Sequence, residues 1–464
     1  MKYHIVTFGC QMNQSDSERI ARILEQAGYQ PAGSIQSANL VVINMCSVRQ
    51  SAVDRVYGLF KKLTLKKQKN PNFKILLTGC ILPIDRKKMA ERVDLIFDIK
   101  DLINLPRILQ KSGILRLSQL FSASSKIKKT GINYFSIRPL YASPFSAYVP
   151  IMTGCNNFCS YCVVPYARGR EISRPADKIL DEVKKLIKRG YKKIVLLGQN
   201  VNSYRSPTNY ESNTNIQITN VNFPKLLQLI NKIPGKFWLQ FITSHPKDLS
   251  DELINTMAEC EKITPYLHLP VQSGDNIILK KMNRHYTVEH YKNLIRVIRG
   301  KFVKISEPIS ISTDIIVGFP GETKKQFLNT AKLMRKIKFD MAYIAEYSPR
   351  EGTAAAKLKD NVDKKEKGRR RVALTEILKK TALENNKKYL GQIVDVLITG
   401  HDRKEYLIGE TRTFKNVRIC ALNNNSHGPI RIPRLRPGSE EVGLFACVKI
   451  TEVTPWGLTG KIIE

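Results

Sequence analysis

The sequence predicts an α/β chain in three parts. These are an N-terminal parallel α/β domain over 1–115, a partial (β/α)6 barrel over 141–385 and a small all-β barrel over 386–464. Three observations predict this. Strand and helix patterns alternate through the first hundred residues. A second alternation begins near Ala147 and runs to Tyr347. From Gly391 onward, short strands separated by turns replace the helical period.

In the first part "KYHIVTF" reads as a strand, and "SDSERIARILEQAGY" as a helix with Ser15 and Glu18 spaced as a capping box. The strand "ANLVVINM", the helix "VRQSAVDRVYGLFKKL" and the strand "FKILLTG" follow. A βαβαβ order makes the sheet parallel. Each of these strands stops at or just before a cysteine: Cys10, Cys46 and Cys80. Parallel strands end along one edge, where ligands bind, so the three cysteines are expected to converge. For any one of them, a small buried thiol is the alternative.

Residues 104–145, with "SASSKIKKTG", read as a linker. The second part offers the strands "AYVPIMT", "KIVLLG", "FWLQFI", "YLHLPV", "ISISTDIIV" and "MAYIAEY", with helices between them, one opening at Pro175. Functional residues of such barrels sit at the C-terminal strand ends. The polar stretch "SPTNYESNTNIQITN" reads as a surface insertion, and "KDNVDKKEKGRRRVALTEILKKTALENNKKYL" as a basic, helix-rich connector. The third part has the strands "IVDVLITG", "EYLIGET", "NVRIC" and "LFACVKITEV", and the basic run "RIPRLRP".

Lys and Arg number 76 against 40 Asp and Glu, a formal net charge of +36. That charge favours a polyanionic partner and opposes self-association, so a monomer is expected. Lysine used as surface filler is the plainer reading. No apolar run reaches the ~18 residues of a membrane span, and with its short, interrupted apolar stretch Met1–Phe8 is not expected to act as a signal peptide. No membrane association and a cytoplasmic location are therefore expected. Nine cysteines, an odd number, in a reducing compartment point to metal or catalysis rather than disulfides.

"GCNNFCSYC" carries Cys155, Cys159 and Cys162 at C-x3-C-x2-C spacing, on the loop directly after the first barrel strand. Structural zinc closes with four ligands, and no fourth Cys or His stands nearby. An iron–sulfur cluster on three thiolates leaves one iron open to a substrate or cofactor. Structural zinc or free thiols are the alternative. Phe158 and Tyr161 are spaced to shield such a cluster.

At this point the chain resembles the radical S-adenosylmethionine (SAM) superfamily. The ordered set "GCQMNQSDS", "GCNNFCSYCVVPYARGREISRP", "GQNVNSY", "TSHP", "HLPVQSG" and "GFPGET" resembles its methylthiotransferases, and "YLIGETRTFKNVRI" resembles their RNA-binding TRAM domain. The resemblance spans nearly the whole chain. "GQNVNSY" and "TSHP" are similar to the MiaB type, which acts on N6-isopentenyladenosine in tRNA. The resemblance implies two [4Fe-4S] clusters. One, on Cys155, Cys159 and Cys162, would chelate SAM and cleave it to methionine and a 5′-deoxyadenosyl radical. The other, on Cys10, Cys46 and Cys80, would carry the inserted sulfur, and a second SAM would supply the methyl group. The implied product is a methylthio group at C2 of the modified adenosine 3′ of the anticodon; the implied partners are tRNA and an electron-donor protein. The chain departs from the family at Met45, where Thr is usual, and at "ILPIDRK" after Cys80, where small residues are common.

The resemblance also makes "GFPGET" part of a SAM-binding wall, with Gly318, Gly321 and Glu322. Gln272 and Ser273 at a strand end suit polar cofactor contacts. Gln199, Asn200, Asn202 and Tyr204, after the second barrel strand, are expected to read the substrate. The amides pair with base edges and Tyr204 stacks on a splayed base. No cation follows in that stretch until Arg205, which favours an apolar isopentenyl group over a threonylcarbamoyl group. Arg168, Arg170 and Arg174 suit local ion pairs or an anionic ligand. His245 and His268 receive no catalytic role, and Cys260, Cys420 and Cys447 read as buried or partly buried thiols. Two other functions stay open: methylthiolation of threonylcarbamoyl-adenosine in tRNA, and a non-catalytic iron–sulfur RNA-binding protein. A sibling that modifies a ribosomal protein fits the basic barrel less well.

Overall fold

A computed structural model describes residues 1–48, 50–114, 133–207, 220–305, 308–420 and 441–463. In the N-terminal part, β1 (Lys2–Phe8) leads into α1 (Gln11–Gln26) and β2 (Gln30–Pro31). Next come β3 (Leu40–Cys46), α2 (Gln50–Lys69), β4 (Lys74–Cys80), α3 (Pro83–Met89), β5 (Leu95–Ile96) and α4 (Leu105–Lys111). The five strands form one parallel sheet in the order β2-β1-β3-β4-β5. Apolar residues run without a break along β3 because both faces of the sheet are covered. Leu40 and Val42 pack with Ile20 and Leu24 of α1 and Leu105 and Leu109 of α4. Val41 and Ile43 point the other way, onto Val53, Val56 and Phe60 of α2.

Two expectations are corrected here. The linker placed from residue 104 onward begins with α4, which belongs to the N-terminal core. Helix α1 starts four residues before Ser15: Cys10 is its N-cap, and Asn13 answers the cap from within the first turn. Ser15 and Glu18 are interior and buried. "SASSKIKKTG" and "RIPRLRP" lie outside the described residues, as does most of the polar insertion.

The central part contributes β6 (Ser146–Pro150), β7 (Met152–Thr153), α5 (Val164–Arg168), β8 (Ile172–Ser173), α6 (Ala176–Lys188), β9 (Lys193–Leu197), α7 (Phe223–Asn231), β10 (Trp238–Ile242) and α8 (Asp251–Glu259). It continues with β11 (Tyr266–His268), α9 (Asn276–Lys281), α10 (Val288–Lys304), β12 (Ser310–Val317), α11 (Lys324–Ile337), β13 (Met341–Glu346) and α12 (Lys364–Lys387). Six parallel strands form two half-sheets, β6-β9-β10 and β11-β12-β13, joined by a parallel bridge between Leu239 and Ile263. This is the open (β/α)6 barrel expected. Pro175 caps α6 rather than entering its first turn. The third part closes β14 (Ile393–His401), β15 (Leu407–Thr411), β16 (Asn416–Cys420), β18 (Gly457–Ile462) and β17 (Phe445–Thr454) into a barrel, in that spatial order. Among the described residues no helix is long and apolar enough to cross a membrane.

Period-two alternation decides what each face of the central strands meets. Ala147, Val149, Ile194 and Leu196 face the helices α6 and α7. Tyr148, Val195, Leu197 and Ile242 face inward, where they pack on Met12 and Cys10 from the start of α1. The N-terminal part thus plugs the barrel with the residues that follow its first strand. At the other junction Trp238 stacks on Phe445 of the third part, with ring centroids 5.0 Å apart, and Lys193 pairs with Glu410.

Buried charge crosses the first junction. Asp16 pairs with Arg168 across it and Tyr134 donates to Asp16; on the central side of the joint Arg174 pairs with Glu182 and Tyr141 donates to Glu182. Glu18 accepts from the backbone N–H of Ala142 at 2.9 Å. Burial pushes the Glu18 carboxyl up to about 7, against that hydrogen bond and the pull of Arg19. A folded carboxyl with a raised pKa holds its proton better than the unfolded chain does. Its contribution to stability is therefore greatest below the ordinary glutamate value and is lost as pH rises toward 7. Glu18→Gln should remove this slope: the variant's melting temperature relative to the parent's should rise between pH 5 and pH 7, measured by scanning calorimetry.

Candidate active site

The N-terminal triplet sits on one sheet edge. Cys46 and Cys80 are register partners at the ends of β3 and β4, and Cys10 follows β1. Glycines make this close approach possible. A Cβ on Gly79 would lie 2.1 Å from the Met45 carbonyl oxygen, and one on Gly9 would lie 2.2 Å from Asn13 Oδ1. Cys10 Sγ donates to Asn13 Oδ1 at 3.4 Å. Cys80 accepts from Arg168 Nε at 3.0 Å. A hydrogen bond from Cys46, helped by Arg168, brings the Cys80 thiol down to about 6, against burial. The Cys46 thiol moves well up as the donor of that pair, and burial raises Cys10. Met45 is fully buried in the core against α2, and the 81–87 stretch turns into α3, with Leu82 N donating to Ser47 Oγ. Both departures from the family pattern are packed into the fold without displacing a thiol.

The second triplet lies on the loop after β7. Gly154 takes a φ of +80°, and a Cβ there would lie 2.0 Å from the Arg170 carbonyl oxygen. Cys155 N donates to Gly169 O at 3.2 Å and Cys162 N to Cys159 O at 2.9 Å. The loop is tied to the far half-sheet: Ser160 N donates to Met282 O, and Asn283 Nδ2 to Phe158 O at 2.9 Å. Tyr161 packs with Ile278, Met282, Phe319 and Tyr347. Phe158 lies under the Arg170 guanidinium at 4.3 Å. Arg284 is buried and donates to Cys159 Sγ at 3.4 Å, to Tyr286 Oη and to Pro270 O. Burial, then the neighbouring Cys159, raises the Cys162 thiol to about 12.

One sulfur of each triplet thus accepts from a buried arginine. Both sites offer three thiols, and at Cys80 the guanidinium favours the thiolate form that a cluster requires. Among the described residues no three His, Cys, Asp or Glu side chains are placed to hold a single metal ion. A four-iron cluster is wider than one ion and takes its thiolates from further apart, so the donor chemistry fits a cluster.

Residues 149–334 match the radical SAM superfamily, and residues 2–98 match an uncharacterized protein family, UPF0004. The chain is 40% identical over its whole length to tRNA-2-methylthio-N(6)-dimethylallyladenosine synthase from Thermoanaerobacter sp. (strain X514), covering 93% of that protein. It is 40% identical to the synthase of the same name from Clostridium novyi (strain NT), again over its whole length and over 96% of that relative. The chain belongs to this synthase family. In fold it is similar to the radical SAM methyltransferase TsrM from Kitasatospora setae, with a TM-score of 0.52 and 13% identity over 76% of this chain and 75% of that one.

The other residues singled out in the sequence fall into three groups. Arg168, Arg170 and Arg174 are all engaged within the chain, with Cys80 and Asp16, with Phe158, and with Glu182. The "GFPGET" turn shares the small core of the second triplet through Phe319. Its Glu322 is buried and takes both Gly318 N, at 2.6 Å, and Arg370, at 2.7 Å, while Gly321 N donates to Asn361. Gln272 has a φ of +67° and bridges to β12, and Ser273 Oγ meets Thr330 Oγ1. Tyr204 is a correction. It is only 1% exposed, inside the main core, and its hydroxyl donates to Arg174 O at 2.7 Å, so it does not stack on a base. Cys447 is another, being exposed rather than buried.

A cluster of unpaired polar atoms surrounds the remaining three substrate candidates. Gln199 Oε1, Asn200 Oδ1, Asn202 Oδ1, both amide atoms of Gln240, Thr243 Oγ1, Ser244 Oγ and His245 Nε2 are buried and have no hydrogen-bond partner among the described residues. They come from the ends of β9 and β10 and from the inner face of β10. Sequence reasoning missed Gln240, Thr243 and Ser244 and set His245 aside. A lone glutamine inside the apolar strand "FWLQFI" was the available signal. His245 Nδ1 accepts from Lys247 N at 3.2 Å, which leaves the proton of the neutral ring on Nε2. Burial, with Arg284 and Lys247 nearby, pushes its pKa down to about 2, so the ring stays neutral.

Proposed function

We infer that this chain inserts a methylthio group at C2 of N6-isopentenyladenosine beside the anticodon of tRNA, by radical SAM chemistry in the cytoplasm. One observation carries the reading beyond family membership. The adjacent residues Arg168 and Gly169 touch both triplets, one through its side chain on Cys80 and the other through its carbonyl on Cys155. Two thiol sets, with no fourth Cys or His placed at either among the described residues, are thereby tied together at one barrel mouth.

When bound, a cluster with an open iron supplies the electron for cleaving SAM, which acid–base groups cannot do. Cys155, Cys159 and Cys162 would hold it, and Cys10, Cys46 and Cys80 would hold a second one. Gln272, Ser273, Gly318, Gly321 and Glu322 are the proposed wall of the SAM site. Gln199, Asn200 and Asn202 are the proposed substrate readers, joined by Gln240, Ser244 and His245. An unpaired buried polar group costs about 1–3 kcal/mol, which favours a polar ligand that satisfies this group. His245 offers one donor proton at Nε2 across the physiological range. The inward apolar residues Tyr148, Val195, Leu197 and Ile242, with Met12, keep water out. A monomer with an electron-donor protein as partner completes the reading, with three parts proposed over 1–115, 141–385 and 386–464, the last bound falling inside the end of α12.

Mass spectrometry of nucleosides tests it. Cluster-loaded enzyme should convert isopentenyladenosine in tRNA to its 2-methylthio derivative and leave threonylcarbamoyl-adenosine unchanged. Methylthiolation of the threonylcarbamoyl substrate alone would refute the assignment.

The third part is the proposed tRNA grip. Lys449 and Lys461 are exposed register partners on β17 and β18. Lys449→Glu with Lys461→Glu should weaken tRNA binding without disturbing the Trp238–Phe445 junction. The log–log salt slope should fall by about 1 for each lost phosphate contact. Filter-binding titrations at several salt concentrations read this directly, and unchanged slopes would remove these lysines from the interface.

A further inference from the structure

The Arg168 side chain is 3% exposed and its partner Asp16 is fully buried. Arg168 Nη2 donates to Asp16 Oδ2 at 2.5 Å, and Asp16 is held from its other oxygen by the Tyr134 hydroxyl. The pairing fixes the guanidinium plane, which leaves Nε–H aimed at Cys80 Sγ, 3.0 Å away. A simple ion pair between two parts of the chain would not require the third contact. Arg168 ends α5, which starts two residues after Cys162, and the next carbonyl receives Cys155 N. Its position is therefore set by the second triplet, while its side chain acts on the first.

We propose that Arg168 is a positioning residue for the N-terminal cluster: its Nε–H to Cys80 Sγ holds that thiolate in place and raises the reduction potential of the cluster. The inference rests on the second cluster proposed above. The direction follows from charge. A reduced cluster puts more negative charge on its sulfurs, so a donor at sulfur stabilises the reduced form more than the oxidised one. The low dielectric of a buried site strengthens the effect. Asn13 Nδ2, 4.0 Å from Cys80 Sγ, is a much weaker second donor.

The test uses the full-length chain with Cys155, Cys159 and Cys162 all replaced by alanine, reconstituted with iron and sulfide, so that the N-terminal cluster alone gives an electron paramagnetic resonance signal. Two variants are compared in that background. Arg168→Lys keeps the charge and its pairing with Asp16 but loses the planar Nε–H. Arg168→Gln with Asp16→Asn removes both charges together, so neither is left buried alone. The midpoint potential should move to more negative values in both, and further in the double variant. In the chain with its second triplet intact, methylthio insertion by Arg168→Lys should fall about 10- to 100-fold, as for other partners of metal ligands. A parental midpoint in either variant that keeps its iron overturns the proposal. Suppose Arg168→Lys melts like the parent as apoprotein yet keeps no N-terminal iron: the hydrogen bond is then needed to hold the cluster, and the positioning role stands. A parent chain with no N-terminal iron at all refutes the second-cluster reading, and this inference with it.

Discussion

Cys159→Ala is expected to abolish reductive cleavage of SAM and to lower bound iron by about four atoms, one cluster's worth. The fold should survive. Cys159 is on a loop, and its partner Arg284 keeps its bonds to Tyr286 and Pro270 when the sulfur is gone. The loop stays anchored by Ser160 and by Asn283. The measurement is 5′-deoxyadenosine formed in the presence of reductant, set against iron content and the circular dichroism of the variant. Undiminished 5′-deoxyadenosine from a folded variant would sink the assignment of this triplet.

Cys46→Ala should produce the complementary result. Iron falls by the same amount, SAM cleavage persists, and no methylthiolated nucleoside forms. Cys46 ends a strand paired with β4 along its whole length and with β1 from Leu40 to Met45, so the smaller side chain leaves the sheet intact. The second triplet has its own anchors in "MNR" and in the turn at Gly169, none of which involve Cys46. Product at the parental rate from Cys46→Ala would mean that the strand-end cysteines do not supply the inserted sulfur. Loss of cleavage as well would mean that the two triplets depend on each other more closely than their separate anchors suggest.

Much of this was legible from the sequence because it is local or periodic. The three strand ends carrying Cys10, Cys46 and Cys80 follow from alternation and from the one-edge rule of parallel sheets. The central triplet needs only its spacing. What escaped depends on long-range contact or on a short local surprise. The Arg168–Cys80 bond joins residues 88 apart, and nothing in "YARGR" tells which sulfur its arginines reach. Tyr204 was misread because a short 3-10 turn at Val201–Ser203 intervenes after β9 and delivers the ring to the core. The true start of α1 was hidden because cysteine is not among the usual capping residues. Tyr148, Val195 and Leu197 are apolar like their outward neighbours, so the pattern could not say that their side of the strands would receive Met12.

The buried Asp16–Arg168 pair also constrains how such a chain can be inherited. Asp16 comes with the N-terminal module and Arg168 with the central one. A recombinant that takes the first module from a relative lacking an acid at this place would strand a guanidinium in the interior, at a cost of about 3–5 kcal/mol. The two modules therefore form a single hereditary unit at this joint: a swap is tolerated only when donor and recipient carry the same acid and the same base. Chimeras cut between residues 16 and 168 should express in proportion to that match, whatever their overall identity.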